Sequence, residues 1–164
     1  MALYKFYNAN TAGTQLYDIC GTRYRRLLKA CFLYSASVAM WVRADTELDM
    51  QHIASFRRKV TPPIKAHYDY YDDFTQGDTD RTNTFRLVRY LLTPDVKRFI
   101  LNRTDSIFKW TCALGSDNPE DLVFFRPDGT VFFALYSQEG VCTLNPIEGE
   151  DISPILMDPH WREG

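Results

Sequence analysis

The sequence of 164 residues predicts an α+β fold, in which about three helices pack on one face of an antiparallel sheet. The sheet is centred on a three-stranded meander at about 122–144. Two observations carry this prediction. Two turn signatures within 121–144 separate apolar runs that are too short for helices. Elsewhere the chain has capped, amphipathic stretches that are typical of helices.

The two turns of the meander are Arg-Pro-Asp-Gly at 126–129 and Ser-Gln-Glu-Gly at 137–140. Proline presets φ at the first corner, and Gly129 supplies the left-handed residue that closes a three-residue hairpin loop. We expect Gly140 to repeat that role. These loops place Arg126 opposite Thr130 and Ser137 opposite Val141.

With this register both faces of the meander are apolar, because side chains alternate along each strand. We expect one face to carry Leu122, Phe124, Phe132, Ala134, Tyr136, Cys142 and Leu144, and the other Val123, Phe125, Val131, Phe133, Leu135, Val141 and Thr143. Ordering the backbone costs about 1–2 kcal/mol per residue, at least as much as burial of these side chains contributes. The meander therefore needs helices on one face, and more of this chain or a partner on the other.

Residues 22–42 are predicted as one helix, since apolar residues recur there at helical spacing. A hairpin that turns at 35–37 is the competing interpretation. A second helix is predicted between the capping residue Thr46 and Val60, with a basic triplet at 57–59 that complements the negative end of its dipole. A third begins at Thr93, Pro94 and Asp95 and buries Val96, Phe99 and Ile100.

The remaining segments are less regular. Residues 1–20 are predicted to be irregular, with at most one edge strand, and 107–114 to form a strand that alternates apolar and polar side chains. After 145 the chain is acidic and contains several prolines. We predict a single globular domain over 1–164, with 145–164 as a loosely attached acidic tail that either drapes over the domain or frays.

Composition predicts a cytoplasmic protein with no membrane segment. The amino terminus has no apolar core behind a basic start, and the longest nearly uncharged stretch, 30–42, is shorter than the ~20 residues of a membrane span. The four cysteines are widely spaced without a C-x-x-C pair, which is typical of reduced, buried thiols. No cofactor is predicted.

Motifs for chemistry are absent from the sequence. It has no G-x-S-x-G, no phosphate-binding glycine loop and no H-E-x-x-H. A calcium loop beginning at Asp78 fails, because Asn83 replaces the required glycine and Arg89 the bidentate glutamate. A nucleic-acid surface could include Arg23, Arg25, Arg26, Lys29 and Arg43, but a pI near 5.9 and two acidic segments disfavour phosphate binding.

The most unusual composition lies at 67–80, which we call the acidic-aromatic segment. Tyrosines anchor interfaces at low entropic cost, and carboxylates steer basic partners. We therefore predict a non-catalytic protein-binding or inhibitor protein, comparable to immunity proteins, that engages a partner with a basic surface. The predicted partner-binding residues are Tyr68, Asp69, Tyr70, Tyr71, Asp72, Asp73, Asp78 and Asp80.

The alternative is a small soluble enzyme acting on a small or nucleotide-like substrate. In that hypothesis His67 is the acid/base group among the same carboxylates. A Cys–His enzyme that combines Cys31 or Cys112 with His67 is a third option. The oligomeric state and the identity of the partner stay open at this point.

Overall fold

A computed structural model describes residues 2–10, 12–43, 63–64, 85–111 and 118–164. The strands of this part are β1 (Tyr4–Tyr7), β2 (Ser37–Arg43), β3 (Pro63–Ile64), β4 (Phe85–Leu91), β5 (Glu120–Phe125), β6 (Val131–Tyr136), β7 (Val141–Leu144) and β8 (Trp161–Glu163). The helices are α1 (Thr22–Tyr34), α2 (Pro94–Arg103), a 3-10 turn (Ile107–Lys109) and α3 (Ser153–Leu156). The predicted α+β class is confirmed.

The eight strands form one sheet in the order β3-β4-β2-β5-β6-β7-β1-β8. Every neighbouring pair is antiparallel. The predicted meander is present as β5, β6 and β7, and its glycines have the expected conformation, with φ of 88° at Gly129 and 65° at Gly140. The amide of Arg126 donates to the carbonyl of Thr130 at 2.8 Å, which closes the first hairpin as predicted.

The predicted register of the meander is wrong beyond that first turn. Phe125 pairs with Val131, but Phe124 pairs with Phe133, so a β-bulge inserts Phe132 as one extra residue in β6. At the second turn Tyr136, rather than Ser137, lies opposite Val141. A shift of one residue moves each following side chain to the other face of a sheet.

The faces change accordingly. Leu135 pairs with Cys142, and Phe133 pairs with both Phe124 and Leu144, so Phe133 and Leu135 lie on the core face because paired residues share a face. Ala134 and Tyr136 lie on the second face, opposite to the prediction. The placement of Leu122, Phe124, Cys142 and Leu144 together is confirmed, and all four are buried.

Residues 22–42 form neither one helix nor a hairpin. The structure has α1 up to Tyr34 and then β2 from Ser37, with an extended Ser35 between them. β2 pairs with β4 on one side and β5 on the other, and Val38, Ala39, Met40 and Trp41 are all buried. A strand that is buried on both faces is a continuous apolar run, and short runs of this kind are not distinguished from helix by periodicity.

The helix predicted at 93–95 is confirmed as α2. The hydroxyl of Thr93 accepts a hydrogen bond from the amide of Val96 at 3.3 Å, and Val96 and Ile100 are fully buried. The strand predicted at 107–114 is wrong over 107–109, where a 3-10 turn forms instead. The helix predicted between 46 and 60 lies outside the described residues.

Both ends of the chain contribute to the sheet. β1 lies between β7 and β8, so it is an interior strand rather than an edge strand. At the carboxyl end, Ile152, Ile155 and Trp161 are buried in the main core, and β8 pairs with β1. The segment 145–164 thus contributes side chains to the core and a strand to the sheet.

The core joins one face of the sheet to the helices. Its buried members include Leu27 and Leu28 of α1, Val96 and Ile100 of α2 and Ile155 of α3. A smaller second cluster contains Ala39 and Trp41, with Val123 and Phe125 packed against them. Register places these four on the other face of the sheet, where the guanidinium of Arg89 lies 3.6 Å from the ring centroid of Phe125.

Candidate functional site

The acidic-aromatic segment, which begins at His67, lies outside the described residues. The structure does define where it joins the fold. Ile64 of β3 pairs with Arg89 of β4, and Arg43 at the end of β2 pairs with Phe85 at the start of β4. The acidic-aromatic segment therefore belongs to the connection between two paired strands at one side of the sheet. The predicted partner-binding residues in it are Tyr68, Asp69, Tyr70, Tyr71, Asp72, Asp73, Asp78 and Asp80.

The acidic carboxyl-terminal third uses most of its described carboxylates within the fold. One of them, Glu150, forms a bidentate ion pair with Arg126. Arg126 Nε and Nη2 lie 2.7 and 2.8 Å from the two carboxylate oxygens of Glu150. Burial alone raises the pKa of Glu150, but the hydrogen bonds from Arg126 and Ile147 outweigh it and hold the pKa below its ordinary value. The described carboxylates that accept hydrogen bonds in this region are Glu120, Asp121, Asp128, Glu150, Asp151 and Asp158.

Two adjacent carboxylates lie at the start of β5. Glu120 is buried and accepts hydrogen bonds from the side chains of Thr111, Ser137 and Gln138 at 3.1–3.4 Å. Asp121 has a φ of 58° and accepts from the amide of Ser137 at 2.8 Å. Burial raises the pKa of Asp121 to about 6. These contacts hold the second turn of the meander against the start of β5.

The described cysteines and the described histidine do not assemble a nucleophile with its base. Burial raises the pKa of the Cys31 and Cys142 thiols well above the ordinary value, and the nucleophilic species of cysteine is the thiolate. Cys31 is thus unsuited to the Cys–His arrangement considered above. His160 contacts the carboxylate of Asp158 at 2.9 Å and its ring lies 4.0 Å from that of Tyr17. Cys112 and His52 lie outside the described residues.

A cleft of about 200 Å³ lies between α1 and the carboxyl-terminal segment. Its apolar lining is formed by the buried side chains of Ile19, Leu27, Ile155 and Trp161. Arg23 and Arg26 line it from the first two turns of α1, and Met157, which is 70% exposed, lies beside them. The cleft combines an apolar interior with two cations.

The carboxylate of Asp158 also lines this cleft and accepts hydrogen bonds from neighbouring donors. Its Oδ2 lies 2.9 Å from Arg23 Nη1, and its Oδ1 accepts from the amide of His160 at 3.0 Å. Burial by itself raises the pKa of Asp158, but the hydrogen bonds from His160 and the charge of Arg23 outweigh it and lower the pKa. Asp158 is therefore ionised at neutral pH, with its charge matched by Arg23.

Sequence reasoning missed this cleft because its two sides are far apart in the chain. Arg23 and Asp158 are separated by 135 positions, and no periodic pattern links them. One signal was available: the first turns of α1 carry arginines and no acid, and Gly21 provides no side-chain cap. Cations near the positive end of a helix dipole are unfavourable, so arginines at the start of α1 indicate a role other than stabilising the helix.

The comparisons with known proteins provide no further guide. Neither the models of protein families, nor the curated proteins, nor the solved structures match this chain. In the described residues, no helix is long and apolar enough to cross a membrane, and no group of three or more His, Cys, Asp or Glu is placed to hold a metal ion.

Proposed function

We propose that this chain is a non-catalytic binding protein, comparable to an inhibitor or an immunity protein, whose partner presents a basic surface. The acidic-aromatic segment is the contact region. Tyr68, Tyr70 and Tyr71 are the anchors, because a rigid ring covers a large area at a small entropic cost. The aspartates steer the partner during encounter.

The composition of the acidic-aromatic segment is the single observation that carries this proposal. Residues 67–80 contain five aspartates and four aromatic residues. In the other acidic region, part of the negative charge is already paired with arginines of the same chain. Glu150 is matched by Arg126 and Asp158 by Arg23, whereas residues 67–80 contain no arginine or lysine.

The position of the segment in the chain also supports the proposal. It joins β3 to β4, and Ile64 and Arg89 pair at the point where the connection meets the sheet. Binding loops are commonly carried between elements of a rigid scaffold. The strands that carry the connection, β3 and β4, lie at the opposite end of the strand order from β8, which contributes Trp161 to the cleft.

The test begins with affinity capture of the partner from the native host and its identification by mass spectrometry. Association of the purified partner is then compared for the chain and for the double variant Asp72→Asn, Asp73→Asn. We expect the association rate to fall about three- to tenfold at low ionic strength and its salt dependence to weaken. Removal of an anchor by Tyr70→Ala or Tyr71→Ala should mainly raise the dissociation rate.

A double variant with the same change of charge serves as the control. Glu148 and Glu163 are exposed, and neither has an ion-pair partner among the described residues. Glu148→Gln with Glu163→Gln should leave the association rate within about twofold, because these charges lie outside the proposed contact. An association rate that Asp72→Asn and Asp73→Asn leave unchanged would refute steering by this segment.

A further inference from the structure

We infer that the cleft between α1 and the carboxyl-terminal segment binds a small organic carboxylate, with its apolar group inside and its carboxylate at Arg26. This binding site shares no residue with the acidic-aromatic segment. It does not depend on the proposed function, because none of its residues belongs to 67–80.

The size of the cleft sets the size of the ligand. A dry cavity of about 150 Å³ holds one benzene ring, while drug-sized ligands occupy about 300–1,000 Å³. The cleft measures about 200 Å³, so it accommodates one ring or a short branched chain together with a carboxylate. The buried side chains of Ile19, Leu27 and Trp161 provide apolar contacts for such a group.

The charges of the cleft determine whether it favours an anionic or a cationic ligand. Arg23 and Asp158 neutralise one another at 2.9 Å, with 46% and 5% of their side chains exposed. Arg26 lines the same cleft three positions further along α1, and within the described part of the chain it has no hydrogen-bond or ion-pair partner. The cleft therefore retains one uncompensated positive charge, which complements a carboxylate.

The uncompensated charge of Arg26 also favours an anion as the ligand of the cleft. Arg23 is already paired with Asp158, so the charge that a bound anion would compensate is that of Arg26. Guanidinium groups bind carboxylates through two parallel hydrogen bonds. Arg26 offers such a fork, and Arg23 adds donors that Asp158 does not use.

The experiment is an NMR titration of the full chain with phenylacetate, observed at the methyl groups of Ile19, Leu27, Ile155 and Met157. We expect saturable shifts at these methyls with a dissociation constant of about 1 mM, which is reasonable for a ligand of about ten non-hydrogen atoms. Benzylamine has a ring of the same size and the opposite charge. It should bind at least about tenfold more weakly, since Arg26 repels it.

Two variants test the role of Arg26. Arg26→Gln should weaken phenylacetate binding about tenfold, because a charge-assisted hydrogen bond is lost. Lys29→Gln removes an exposed cation from the same helix outside the cleft and should change the affinity less than about twofold. The inference is overturned if the methyls show no saturable shifts, if benzylamine binds as well as phenylacetate, or if both variants weaken binding equally.

Discussion

The indole nitrogen of Trp110 donates a hydrogen bond to the hydroxyl of Tyr24 at 2.9 Å, and both side chains are buried. The same hydroxyl donates to the carbonyl of Ile100 at 2.9 Å. One side chain of α1 thus satisfies a polar group from α2 and another from the segment after the 3-10 turn. Burial raises the pKa of Tyr24, so the hydroxyl keeps its proton at neutral pH.

Tyr24→Phe should lower the free energy of unfolding by about 2–3 kcal/mol, because it leaves a buried N–H and a buried C=O without their partner. Urea denaturation monitored by circular dichroism measures this change. Tyr34→Phe on the same helix is the control. Its hydroxyl accepts an exposed hydrogen bond from the amide of Asp151, so its loss should cost less than about 1 kcal/mol. Equal losses of stability in Tyr24→Phe and Tyr34→Phe would contradict a special role for the buried hydrogen bonds of Tyr24.

Glu150→Gln should destabilise the fold by about 3 kcal/mol, since it leaves the guanidinium of Arg126 buried without its counter-charge. The side chains of Arg126 and Glu150 are only 5% and 8% exposed. Arg98→Gln breaks the exposed pair with Asp95 and should change the stability by less than about 0.5 kcal/mol. Denaturant midpoints of the two variants give the comparison, and a loss below about 1 kcal/mol for Glu150→Gln would refute the buried-pair argument.

Thr93→Ala should destabilise α2 by about 1 kcal/mol, because the amide of Val96 loses its capping acceptor. Thr93→Ser keeps a hydroxyl at the same position and should retain most of the stability. Thermal denaturation of both variants measures the effect. If serine and alanine are equally destabilising, the cap is not the cause.

Local turn and capping chemistry made part of the fold predictable. Gly129 and Thr93 act within a few residues of their own positions, and both predictions are confirmed. The predictions were wrong where packing between distant parts of the chain determines the local structure. β2 is buried on both faces and resembles a helix in its apolar pattern, and the bulge at Phe132 depends on packing across the sheet rather than on the residues that flank it.

The acidic-aromatic segment and the cleft likewise differ in how far the sequence alone reveals them. The acidic-aromatic segment is continuous in the sequence, so composition alone identified it. The cleft is assembled from α1 and residues 154–161, and only the folded chain brings Arg23 to Asp158. Residues that satisfy one another over such a distance leave no local pattern, although the basic start of α1 is a detectable irregularity.

Asp121→Asn should stabilise the protein at pH 7 by about 2–3 kcal/mol. The pKa of Asp121 is raised to about 6 in the fold, against about 3.9 in an unfolded chain, so its ionised form is disfavoured in the native state. For an acid with a raised pKa, the favourable contribution is complete below pH ~4 and is lost as the pH rises through ~6. The amide of asparagine still accepts from the backbone of Ser137, and asparagine tolerates the positive φ at this position.

The difference in stability between Asp121→Asn and the unsubstituted chain should therefore be near zero at pH 4 and should grow up to about pH 6.5. Urea denaturation across this range measures it. Asp128→Asn provides a control of opposite sign, because hydrogen bonds from the hydroxyl and the amide of Thr130 lower the pKa of Asp128 and stabilise its ionised form. A constant difference across the pH range would show that Asp121→Asn acts through backbone conformation alone, since an amide does not titrate and only the carboxylate links stability to pH.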